Sequence, residues 1–213
     1  MRYARSARTC ERYGMVRAMV ETAFCSDERF TQDEFRRWLD ERPSADINHY
    51  ELIGGRIVMT PPAGWPHGRI GAQLVRSIGE AASAATLGIV LDSSAGFDLP
   101  SGDTVEPDVS FVSNERLAAG PPPERGKFLR IVPTLVVEIA SRSTARRDRT
   151  EKKDVYAQNG VAEYWIVDPD ARSVTVHVLA GGAYDPGRAF ASGRVESATL
   201  PAVGVVIENL FAE

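Results

Sequence analysis

Asp108 and Glu138 are the side chains best placed to do chemistry. Asp108 follows Glu106-Pro107 at the mouth of a strand, and Glu138 stands inside Leu135-Val136-Val137-Glu138-Ile139, a run whose other members ask to be buried. An ionised carboxylate in such surroundings shifts its pKa or needs a basic side chain, a donor network or a metal as partner. A purely structural ion pair meets the same demand, and both readings stay open. Lys152 and Tyr156 are four residues apart, so they share one helix face. The strand carrying Glu138 feeds that helix, and both side chains can look back at the carboxylates. Two carboxylates from strand ends with a lysine suit Mg²⁺, held through oxygen ligands with positions left for phosphate and water.

Just downstream of Glu138 lie Arg142, Arg146, Arg147, Arg149, Lys152 and Lys153, a basic run interrupted by Asp148, Glu151 and Asp154. Such a run is ordinarily a solvated face, and only its adjacency to Glu138 raises its interest. His67 lies between Trp65-Pro66 and a helix start. With no ligand partner at metal spacing it reads as a capping or structural donor that can also line a cleft. Lys plus Arg is 25 against 29 for Asp plus Glu, a net charge of −4, which excludes a globally basic nucleic-acid binder. Any contact with nucleic acid must be local.

The elements that position these residues are regular. Thr31 and Glu34 form a capping box with Phe30 and Phe35 at staple positions, predicting a helix that ends at Arg42-Pro43 and docks on the main sheet. Tyr50 to Met59 reads as a hairpin around Gly54-Gly55, and His67 to Ala85 as a helix crossing the sheet. Gly88–Ser93, Asp108–Ser113 and Thr134–Ala140 are predicted as the sheet's central strands, the last buried on both faces. A helix spans Ser143 to Asn159. Glu163–Asp168 and Ser173–Leu179 form an antiparallel pair joined by Pro169-Asp170-Ala171-Arg172, in which Asp168 shapes the turn. The remainder reads as loops with a late strand near Val203 to Ile207. Tyr164, Trp165 and Ile166 are expected in the core.

At 213 residues, 43% hydrophobic and 25% charged, the chain is expected to form a single domain over residues 27–213. Its apolar runs fall far short of a membrane span. Residues 1–26, punctuated by Arg2, Arg5, Arg8, Arg12 and Arg17, do not form a signal peptide. Met15 and Met19 offer later starts, and a mis-called start, a mobile tail and a short packing helix all remain open. Cys10 and Cys25 are expected as free thiols in a reducing cytoplasm.

Four segments together resemble the Uma-two family of putative restriction endonucleases, part of the PD-(D/E)XK nuclease superfamily. They are Tyr50 to Gly55, Glu106 to Val109, Val137 to Ser141, and Glu151-Lys152 through Tyr156 to Pro169. The resemblance runs roughly from Thr31 to Leu179. It implies an α/β restriction-endonuclease-like fold, a mixed central sheet flanked by helices, with the metal site where the sheet opens. Asp108 matches the superfamily's metal-binding Asp and Glu138 the acid of the second motif. The usual lysine position, two residues after the acid, holds Ala140 here, and Lys152 looks like its relocated replacement. Glu51 looks like an additional acid from an earlier element, although a Glu opening a hairpin is more often exposed. A histidine at the position of His67 also belongs to the resemblance.

The implied activity is Mg²⁺-dependent hydrolysis of DNA, with Mn²⁺ as a substitute cation. Asp108 and Glu138 would hold the metal and Lys152 would orient water or offset phosphorane charge. Tyr156 could hydrogen-bond the lysine or phosphate, although a tyrosine at helical spacing is ordinarily core. Arg146, Arg147 and Arg149 could neutralise flanking phosphates. The rival reading is a catalytically silent nuclease-fold module that binds nucleic acid or protein, and a homodimer is compatible with either.

Overall fold

The structure, a computed structural model, describes residues 24–200 and 202–212. The expectations for the arginine-punctuated segment lie outside the described residues up to position 23, as does Cys10. Phe24–Cys25 forms β1, in which Cys25 is an exposed free thiol. The capping box forms as expected: Thr31 accepts from the Glu34 amide, and Glu34 accepts from the Thr31 amide at 2.8 Å. It starts α1 (Gln32–Asp40), a feature worth about 0.5–2 kcal/mol. The predicted hairpin is β2 (His49–Ile53) and β3 (Arg56–Thr60). Its two turn glycines adopt φ of 57° and 75°, the left-handed pair that a two-residue turn of this twist requires. Phe35 packs on Leu52 and Ile57, with Trp38 edge-on to Tyr50, so α1 docks on the hairpin and not on the main sheet as expected. The aromatic face of α1 fits the small sheet because β2 and β3 expose their own apolar alternation to it.

Next come α2 (His67–Ala84), β4 (Gly88–Asp92), the two-residue strands β5 (Phe97–Asp98) and β6 (Thr104–Val105), β7 (Val109–Ser113) and α3 (Asn114–Ala119). Then β8 (Leu135–Ile139) leads into α4 (Ala145–Arg149) and α5 (Glu151–Gln158), and β9 (Glu163–Asp168) returns to β10 (Ser173–Ala180). The chain closes with β11 (Ala183–Tyr184), β12 (Arg188–Phe190), β13 (Arg194–Glu196), β14 (Gly204–Val206) and α6 (Ile207–Leu210). The smaller sheet runs β1-β3-β2-β6-β5, and the larger β11-β10-β9-β8-β7-β4, with β12 also on β10. Among the described strands only β8 and β9 pair in parallel, Leu135 opposite Glu163 through Ile139 opposite Val167, and the α4-α5 crossover joins them.

Three further expectations need correction. The predicted helix over Ser143–Asn159 is two helices, because Thr150 leaves helical dihedrals at φ −127°, ψ −90° and its hydroxyl donates to the Arg146 carbonyl at 2.8 Å. Gly88–Ser93 forms the edge of the sheet instead of its centre, half-buried with Ile89 38% exposed. An apolar run of that length does not distinguish one covered face from two. Strands β11, β12 and β13 occupy what reads as loop, and two or three residues are too few to show a period. As expected, β8 is buried along its whole length.

Candidate active site

Strand alternation fixes the direction of Glu138. Leu135, Val137 and Ile139 enter the core beneath α2, whereas Val136 and Ala140 enter the opposite core with Tyr156 and Tyr164. Period two therefore turns Glu138 toward α5. There Lys152 Nζ lies 2.5 Å from Glu138 Oε1 and 2.9 Å from Glu51 Oε1. Tyr156, one turn on, donates its hydroxyl to the same Glu138 oxygen at 2.6 Å. Glu51 Oε1 also accepts the Glu106 amide at 2.9 Å, which ties β2 to the approach of β7. Asp108 enters from that approach. Its Oδ2 accepts the Ile139 amide at 2.7 Å and lies 3.2 Å from Nε2 of His67, in the first turn of α2.

These groups are nearly dry. Glu51 is 6% exposed, Glu138 and Lys152 4%, and Asp148 2%. Burial pushes the Glu138 carboxyl well up, against the pull of Lys152. Burial would pull Lys152 down, but Glu138 and Glu51 more than offset it and hold the ammonium charged. The Tyr156 phenol is pushed well up, first by burial and then by Glu138. Burial raises Asp148 to about 6, again opposed by Lys152. His67 loses solvation, yet its contact with Asp108 leaves its pKa raised. His49, 3.0 Å from Glu106, is raised mainly by that hydrogen bond.

The structure thus gathers Asp108, Glu138, Lys152, Glu51 and His67 around one cleft of about 510 Å³, with Tyr156 fully buried behind Glu138. Glu51 is buried and engaged, against the ordinary reading of a hairpin glutamate. Of the three arginines, Arg147 lines the cleft, Arg146 is exposed away from it, and Arg149 is paired with Asp168 at 2.6 Å. Asp168 also accepts the Ala171 amide, holding the turn as expected. Sequence reasoning missed Asp148, whose spacing of four before Lys152 was the available signal. It also missed the His49–Glu106 pair, for which residues 57 apart give no local sign.

Mg²⁺ is commonly held by one or two carboxylates, with water and substrate phosphate completing its shell. The donor chemistry here fits. Only Oδ2 of Asp108 and Oε1 of Glu138 take hydrogen bonds among the described residues, which leaves one oxygen of each free. Among the described residues the buried Oδ2 of Asp148 has no hydrogen-bond partner, and three carboxylates, those of Glu138, Glu51 and Asp148, act on the single ammonium of Lys152. Among the described residues no three His, Cys, Asp or Glu side chains converge on one ion position, so the protein can supply two carboxylates but not a closed cage.

The mixed sheet flanked by helices places the chain among nuclease-like α/β folds. Residues 32–208 match the model of the Uma2 family, described as putative restriction endonuclease, and the chain belongs to that family. Its fold is shared with a solved structure from Anabaena variabilis, a putative nuclease belonging to DUF820. That likeness has a TM-score of 0.69 at 20% identity and covers 86% of this chain and 98% of the other. No curated protein matches the sequence.

Proposed function

We propose that the chain is a Mg²⁺-dependent endonuclease that hydrolyses DNA phosphodiester bonds. The carrying observation is the convergence of Asp108, Glu138 and Lys152, from three separate elements, on one cleft. Asp108 and Glu138 would hold the cation, which when bound supplies Lewis acidity toward phosphate and water. Lys152 stays protonated between Glu51 and Glu138, so it is a fixed positive charge and a donor for a phosphoryl oxygen or an attacking water. Tyr156 fixes Glu138 Oε1, and the Ile139 amide fixes Asp108 Oδ2, so the two free oxygens keep their positions. Arg147 offers a charge for a flanking phosphate at the cleft wall.

The test is cleavage of plasmid and linear DNA in Mg²⁺ or Mn²⁺ by the wild type and by Asp108→Ala. We expect the variant to lose activity by at least about 10²–10³-fold. Equal cleavage by both proteins would remove the site assignment. The second reading, a silent binding module, is favoured by one feature: Lys152 already has two carboxylate partners. DNA binding that is equal in Mg²⁺ and in chelator, without cleavage, would establish it.

A further inference from the structure

The chain has three tryptophans. Trp165 is fully buried, and Trp38 packs between Phe35 and Tyr50 with the Arg42 guanidinium 4.1 Å over its ring. Trp65 differs from both. It is 76% exposed, the most exposed large apolar side chain among the described residues, and it belongs to none of the hydrophobic cores. Its place is not arbitrary, because it lines the same cleft as Asp108, Glu138 and Lys152, two residues ahead of His67. Arg142 and Arg147 line that cleft too, and neither forms an ion pair with another described residue, whereas Arg149 is spent on Asp168.

Unspent guanidiniums and an open indole around an acidic floor combine the two things a single strand binds to: cations for its phosphates and an aromatic face for a base. Depth argues the same way. The side chains of Glu138 and Lys152 keep only 5% exposure, and the cleft of about 510 Å³ has the capacity of a small-ligand pocket, about 300–1,000 Å³. A flexible single strand, whose base faces are unpaired, follows a narrow cleft to such a floor more readily than a stiff duplex does. We infer that Trp65 is a base-stacking platform beside the scissile position and that the preferred ligand is single-stranded DNA. The inference rests on the nuclease reading for its chemistry, but its test reads binding.

The full chain, with Ca²⁺ in place of Mg²⁺ so that turnover does not consume the probe, is titrated with a single-stranded oligodeoxynucleotide and with the duplex of the same sequence. Tryptophan emission and oligonucleotide anisotropy are followed for wild type, Trp65→Ala and Trp65→Phe. The single strand should quench the Trp65 emission and bind more tightly than the duplex. Trp65→Ala should weaken single-strand affinity by between about fivefold and about a hundredfold, Trp65→Phe should retain most of it, and duplex affinity should stay unchanged. Equal affinity for both forms, or a Trp65→Ala variant that binds the single strand like the wild type, overturns the inference. So does emission that follows protein concentration but not oligonucleotide, which assigns the indole to a contact between copies. A chain that stacks the strand but cuts nothing fails the nuclease reading alone; one that binds and cuts the single strand at the wild-type level without Trp65 fails only this inference.

Discussion

Glu138 and Glu163 sit on neighbouring strands of one sheet, are buried to nearly the same degree, and have opposite surroundings. Glu163 faces the α2 side, where five donors saturate it: Trp165 Nε1 and the Ala198 amide on Oε1, and the Ser197 hydroxyl with the Thr199 amide and hydroxyl on Oε2. All are neutral, and together they pin the segment after β13 against the sheet. Glu138 faces the other way and lines the cleft, with one oxygen held by a lysine and a phenol and the other without a hydrogen bond among the described residues. Burial alone therefore does not separate the proposed catalytic carboxylate from a structural one. What separates the two is whether their lone pairs are already used and whether the unused ones reach solvent space.

The sharpest way to break this comparison is to neutralise each acid in turn. Glu138→Gln should reduce cleavage by about 10²–10³-fold while keeping the fold, since it removes a charge the site needs and burial opposes. Glu163→Gln should do the reverse, lowering stability by about 1.5–3 kcal/mol in urea unfolding through loss of charge-assisted bonds, with the folded fraction still active. If both variants lost activity and neither lost stability, the division between the two faces would be wrong. A second test concerns the cation. Lys152→Met leaves Glu51 and Glu138 uncompensated and should cost about 3–5 kcal/mol, and adding Glu138→Gln should restore part of it. Additive losses in the double variant would show that the ion pairs carry little.

Much of this contrast is legible in the sequence. A glutamate inside Leu-Val-Val-Glu-Ile announces an expensive burial, and the spacing of Lys152 and Tyr156 announces one helix face. The capping box at Thr31 and the Gly54-Gly55 turn mark element boundaries because each rests on local backbone chemistry. The docking partner of α1, the edge position of β4 and the break at Thr150 are not legible. Each depends on what packs against an element, and apolar pattern specifies only that something does. Glu163 is the clearest case. Four of its five donors lie 34 to 36 residues downstream in a segment without a visible period, so its role emerges only in three dimensions.

Asp148 lies between the two extremes, buried like Glu163 but with an oxygen that no donor among the described residues reaches. Its folded pKa, about 6, stands above the ordinary 3.8 because burial penalises the charged form. A raised acid pKa means that the protonated form favours folding. The contribution is complete below about pH 4 and is lost as pH rises through about 6, amounting to on the order of 3 kcal/mol. Asp148→Asn stays neutral throughout. In metal-free buffer its stability relative to the wild type should therefore climb between about pH 4 and pH 7 in denaturant titrations, even as other carboxylates shift both curves together. A difference curve that stays flat across that window would show that the fold accommodates the Asp148 charge without cost.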